Sequence, residues 1–138
     1  MDHPVYPYDW FNNETWAKSP KEMKLSWAIV KKDVLDGTTS KKWNDQETIL
    51  KQYEAELQRK GAKNTTIRRR TGLEAVWDSM LYYTTNGERI LQGKWDWTQT
   101  QTSYGSMVDV GAFGQGGLDV RFDAPGYSNP RLGVCPSR

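Results

Sequence analysis

Glu74, Asp109 and Asp119, with Arg121 two residues past the last of them, have types and spacing that could do chemistry. Two carboxylates can hold Mg²⁺ and a nearby cation can steady an attacking water, which is what metal-dependent nucleic-acid cleavage requires. The pattern is short, however, and arises often by chance. Lys is also usual where this chain has Arg121, so solvent-facing charges on a half-buried strand are the reading adopted. The single histidine, His3, excludes triads, two-histidine metal sites and histidine acid–base pairs. The run from Gly111 to Gly117 lacks the Gly-Lys-Ser/Thr ending of a phosphate loop and precedes a strand pattern rather than a helix. The single cysteine, Cys135, cannot form an intrachain disulfide. These residues predict no catalytic group, no cofactor and no metal, and hence a protein that is not an enzyme.

Between Arg59 and Arg70 lie six basic residues (Arg59, Lys60, Lys63, Arg68, Arg69 and Arg70) and no acid, in a chain whose net charge is only +2. Charge concentrated in this way attracts phosphate or an acidic protein surface. In the segment 54–83, a helix pattern ends in the basic-Gly turn Arg59-Lys60-Gly61 and is followed by the Thr-Ile-Arg-rich stretch Thr66-Ile67-Arg68-Arg69-Arg70. This resembles part of the helical core-binding domain of tyrosine recombinases. The recombinase catalytic set of Arg, His and Tyr is absent, so the resemblance implies contacts to a phosphate backbone and no catalytic role. Three successive arginines on a helix splay over more than half its circumference. Salt bridges to Glu54, Glu56 and Glu74, or to an acidic subunit, therefore compete with DNA contact.

Three helices are predicted to position these groups. Ser19, Pro20 and Glu22 make an N-terminal box for a helix over about 20–36, with Met23, Trp27, Val30 and Val34 at helical spacing and Gly37 as its stop. Asn44 and Glu47 cap a second over 45–60, striped by Ile49, Leu50, Tyr53 and Leu57. A third covers 66–85, starting near Thr65 or at Thr71 with Glu74, apolar at Leu73, Val76, Trp77, Met80, Leu81 and Tyr83, and stopped by Asn86-Gly87. Residues 88–97 could form a strand, and 98–106 read as a polar linker. Val108–Ala112 and Leu118–Phe122 read as a β-hairpin, and 123–138, with Pro125, Pro130 and Pro136, as an extended tail. The fold class expected is α+β, mainly α: a three-helix body, a small hairpin, and extended N- and C-terminal arms. The corresponding domains are an aromatic arm over 1–18, a helical body over 19–97, and a Gly/Pro-rich hairpin and tail over 98–138.

Seven Trp and seven Tyr carry much of a modest 36% apolar content. Aromatics with a polar handle are enriched at interfaces as well as in cores. No apolar run approaches the length of a membrane span, and the first residues lack the basic and apolar regions of a signal peptide. Synthesis in a reducing cytoplasm is expected. The function these features suggest is a non-enzymatic structural subunit of a larger homo- or hetero-oligomeric assembly. Its organisation is that of connector or capsid-associated virion components, with the virion as an eventual location. Its contacts would come from the arm residues Tyr6, Tyr8, Trp10, Phe11, Phe113, Phe122 and Tyr127. Removing residues 123–138 is then expected to leave the helices folded. The alternative is a small helical DNA-binding protein that meets phosphates through 59–70.

Overall fold

The computed structural model describes residues 10–18, 23 and 26–138. A mixed sheet lies at its centre, in the order β3-β2-β1-β4: β1 (Trp95–Gln101), β2 (Met107–Gly114), β3 (Gly117–Asp123) and β4 (Leu132–Gly133). β2 pairs antiparallel with both β1 and β3, while β4 runs parallel to β1 through Trp95↔Leu132 and Asp96↔Gly133. Around the sheet lie two long helices, α2 (Trp43–Arg59) and α3 (Gly72–Asn86). A short 3-10 turn, η1 (Trp10–Asn13), and one turn of helix, α1 (Thr15–Lys18), complete the elements among the described residues.

Side-chain alternation along the strands gives the sheet a packed cluster on each face. On one face Val108, Val110, Phe113, Leu118 and Val120 pack with Ala75 of α3, and Tyr83 meets the Phe113 ring edge-on at 5.2 Å. On the other, Trp97, Met107 and Leu132 are buried with Trp43 and Trp95 against them. Each fully buried side chain of this size contributes about 1.5–3 kcal/mol. Gly111 is what lets β2 pass close to β1, since a Cβ there would lie 2.1 Å from the Lys94 carbonyl oxygen.

The three-helix body with a small hairpin does not form. Two long helices and a four-stranded sheet take its place. Within the first expected helix, 20–36, residues 26–29 carry no helical structure and Val30 bridges to Ser137. Trp27, which helical spacing places inside, is fully exposed at 103%. The run Trp27-Ala28-Ile29-Val30 is aromatic and β-branched and suits extended backbone once a partner strand supplies its hydrogen bonds. That partner is the C-terminal tail, too distant in sequence for a local periodicity to register. The expected Ser19, Pro20 and Glu22 box lies outside the described residues.

The second helix matches closely, but Asn44 and Glu47 do not cap it. Lys42 is the N-cap and makes no side-chain cap bond, and the Trp43 N–H donates instead to the Pro125 carbonyl at 3.1 Å. The third helix takes the later start. Thr71 and Glu74 form both bonds of the capping box, and Gly87 closes the helix in the left-handed conformation, φ 69°. Thr98 and Thr100, read as linker, continue β1, with the Thr98 hydroxyl donating to the Val108 carbonyl at 2.8 Å.

The tail is no arm. Leu132 to Ser137 are all buried, and the Val134 carbonyl accepts from Leu35 N–H at 2.7 Å. Ser137 exchanges backbone bonds with Arg68, and Arg138 with Ile29. The tail is thus the middle row of a small ladder between Ile29–Lys31 and Arg68. Of the N-terminal arm, Trp10, Phe11 and Trp16 fold back on the chain's own core. The Trp10 indole N–H donates to the Val120 carbonyl at 2.8 Å, and its ring lies edge-on to Phe122 at 4.8 Å. Tyr6 and Tyr8 lie outside the described residues.

Candidate protein-binding surface

The three consecutive arginines sit on the extended segment before α3, so successive side chains diverge and find different partners. Arg68 forms a two-pronged pair with Glu74, at 2.8 and 2.9 Å. Arg69 is buried, stacks on Trp43 with its guanidinium carbon 4.1 Å from the ring centroid, and bonds to Glu47, to Gln46 and to the Trp43 and Trp97 carbonyls. Arg70 is buried too. Its Nε and Nη2 reach Asp96 Oδ2 at 3.0 and 2.7 Å, and its Nη1 reaches Asp78 at 3.0 Å. Burial disfavours the Arg70 charge, but the Asp96 and Asp78 carboxylates outweigh it and hold the guanidinium above its ordinary range. Lys60 pairs with Glu56 at 2.6 Å, and Arg59 and Lys63 are exposed. The structure therefore does not bring the six cations to one face. It buries two of them, Arg69 and Arg70, in ion pairs, and pairs Arg68 and Lys60 with Glu74 and Glu56 nearer the surface.

The carboxylate set is likewise divided. Glu74 caps α3, whereas Asp109, Asp119 and Arg121 meet on the sheet face opposite α3, with Asp123 beside them. Arg121 Nη2 lies 2.8 Å from Asp109 Oδ2 and 3.5 Å from Asp123, its Nε lies 3.8 Å from Asp119, and its guanidinium stacks 3.9 Å from the Trp95 ring. Asp109 Oδ1 and Arg121 Nε are buried with no hydrogen-bond partner among the described residues. No group of three or more His, Cys, Asp or Glu among the described residues is placed to hold a metal ion. The cation the sequence pattern called for is spent on neutralising the acids.

Burial pushes the Asp109 carboxyl up to about 7, with Arg121 offsetting only part of the cost. The folded state keeps this proton at pH values where the unfolded chain has lost it. Its contribution to stability is therefore present below about pH 4 and is lost as pH rises through 7. Asp123, also raised by burial, acts in the same direction. Urea unfolding should show stability falling between pH 4 and 8, by on the order of 4 kcal/mol at most from Asp109. Asp109→Asn should flatten that slope. An unchanged slope would mean that Asp109 is not the group responsible.

The feature that the internal pairing leaves unexplained is apolar. Trp27 (103% exposed), Ile29 (67%), Trp77 (57%) and Leu81 (52%) project from segment 26–30 and the outer side of α3. Between the two elements runs a groove of about 520 Å³, lined by Met23, Trp27, Trp77 and Leu81, with the Arg68–Glu74 pair on its wall. The sequence carried a signal for this surface. Leu73, Val76, Trp77, Met80, Leu81 and Tyr83 cover more than one face of a helix, which cannot bury them all on a single sheet. Ala75, Val76, Met80 and Tyr83 face the core, and Trp77 and Leu81 are left outside. Among the expected arm residues, Phe113 is in the core at 1% exposure, while Phe122 and Tyr127 are partly exposed and remote in sequence from this groove. Compared with known protein families, with curated proteins and with solved structures, the chain matches none.

Proposed function

We propose that this chain is a non-enzymatic structural subunit that engages neighbouring subunits through the apolar face of α3 and segment 26–30. The observation behind the proposal is the joint exposure of Trp27, Trp77 and Leu81 around one groove, with Ile29 exposed beside it on the same segment. Large contiguous apolar patches on a soluble protein mark interaction sites, and Trp and Met are enriched in interface cores. The contact surface differs from the pair of terminal arms expected from sequence. A virion-type clasp needs a free C-terminal segment, and Leu132 to Ser137 are buried within the fold. The reading is accordingly an assembly subunit, with cytoplasmic synthesis as part of the proposal. Among the described residues no helix is long and apolar enough to cross a membrane. The DNA-binding alternative gains no support from the geometry, because Arg69 and Arg70 are buried in ion pairs and Arg68 is held by Glu74.

The test is site-directed photo-crosslinking in the cells that make the protein. A benzophenone side chain placed at Trp77 is compared with one at Gln52, an exposed position on α2. A discrete adduct of defined mass from position 77 and none from 52 is the expected result. Adducts absent at 77, or equal at both positions, would overturn the proposal.

A further inference from the structure

We infer that segment 26–30 pairs, antiparallel and about a two-fold axis, with the same segment of a second copy of this chain. This names the partner within the assembly reading above and rests on it. The backbone fixes which groups are on offer. Ile29 N–H and C=O both bond to Arg138, at 3.3 and 2.9 Å, and Lys31 N–H bonds to the Pro136 carbonyl at 3.1 Å. In an antiparallel ladder the intervening residues turn their N–H and C=O the other way. Those of Ala28 and Val30 therefore face outward, and no partner for them occurs among the described residues. An open edge of this kind is a template for another chain, and natural sheets blunt it with charge, proline or a bulge. Ser26-Trp27-Ala28-Ile29-Val30 has neither charge nor proline.

Self-pairing suits this particular edge. With the axis through Ala28, the two copies of Ala28 exchange both backbone bonds, which is the pairing their outward groups require. Trp27 then stands opposite Ile29 of the second copy, and Ile29 opposite its Trp27. Aromatic against β-branched is among the favourable cross-strand combinations, and these would be the close, non-hydrogen-bonded positions. The other free edge fits poorly. β3 is covered by Trp10, whose indole already takes the Val120 carbonyl and whose ring lies against Phe122. The area is also adequate. At roughly 250 Å² for a whole aromatic side chain, Trp27 and Trp77 offer about 400 Å² per copy and about 800 Å² across a two-fold. Ile29, Leu81 and the paired backbone bring this towards the roughly 1,200 Å² at which specific interfaces begin.

The experiment is sedimentation velocity of the full chain across the micromolar range. Wild type, Ala28→Pro and Ile29→Lys are compared, with circular dichroism and thermal melting as controls. Ala28→Pro deletes an outward N–H and no internal bond, and Ile29→Lys alters a side chain that is mostly in solvent. A concentration-dependent dimer in the wild type, weakened about tenfold or more in both variants at unchanged melting temperature, is the expected result. If Ala28→Pro alters folding, Ile29→Lys alone decides. A wild type that is monomeric throughout, or a dimer that both variants leave intact, would overturn the inference. Crosslinking at position 77 to a different protein would then still uphold the assembly reading, so the two failures are separable.

Discussion

Replacing Asp96 with Ala is expected to lower stability by about 3–5 kcal/mol, enough to unfold much of the population at ambient temperature. Asp96 is fully buried on β1 and serves two elements at once. Its Oδ2 accepts from Arg70 Nε and Nη2, and its Oδ1 accepts the backbone N–H of Cys135 at 2.7 Å. Removing the carboxylate leaves a guanidinium that is 1% exposed with Asp78 as its only anionic partner, and orphans a buried N–H. Losing one member of a buried pair costs far more than the pair itself is worth. The double variant Asp96→Leu with Arg70→Met should therefore be distinctly more stable than Asp96→Ala. Urea midpoints for the two variants measure this, and a loss below about 1 kcal/mol in Asp96→Ala would show that water replaces the carboxylate without difficulty.

Deleting 132–138 should abolish cooperative folding altogether. Leu132, Val134 and Cys135 are each 0% exposed, and at about 1.5–3 kcal/mol per buried side chain their loss alone approaches the whole stability of a small domain. The backbone bonds to Leu35, Arg68, Ile29 and Lys31 go with them. The expected observation is loss of a sigmoidal melt and of near-ultraviolet dichroism from the tryptophans. A truncated chain that still melts cooperatively within a few degrees of the intact one would show that β4 and the ladder are decoration on an independent core.

Local signals were readable where local chemistry decides the outcome. The Thr71–Glu74 box and Gly87 mark both ends of α3, and the alternation of Leu118, Val120 and Phe122 marks β3. Misreadings occurred wherever a distant segment supplied the hydrogen bonds. Met23, Trp27, Val30 and Val34 keep helical spacing, yet their stretch is claimed by the tail, and nothing within a window of eighteen residues reveals that. Thr98 and Thr100 look like linker by composition, but they are strand residues whose hydroxyls bond to neighbouring backbone. The basic cluster was visible as charge, whereas its neutralisation by Glu47, Glu74, Asp78 and Asp96 depends on tertiary placement. The apolar surface was legible only as an excess, a helix with more large side chains than one face can bury.

The threading of the tail between Ile29 and Arg68 also bears on the order of events during synthesis. Ribosomes deliver a chain from its N-terminus, so Ile29, Val34 and Arg68 emerge long before the residues that complete them. α2 and α3 can coil as they appear, because their bonds are internal. The sheet's fourth strand and the small ladder must wait for residues 132–138, whose partners lie well upstream, from Trp95 back to Ile29. Closure over such distances is slow, and until it happens the Trp27–Val30 stretch lacks the tail that pairs with it. For the nascent chain, that interval is when pairing with the wrong neighbour is least opposed.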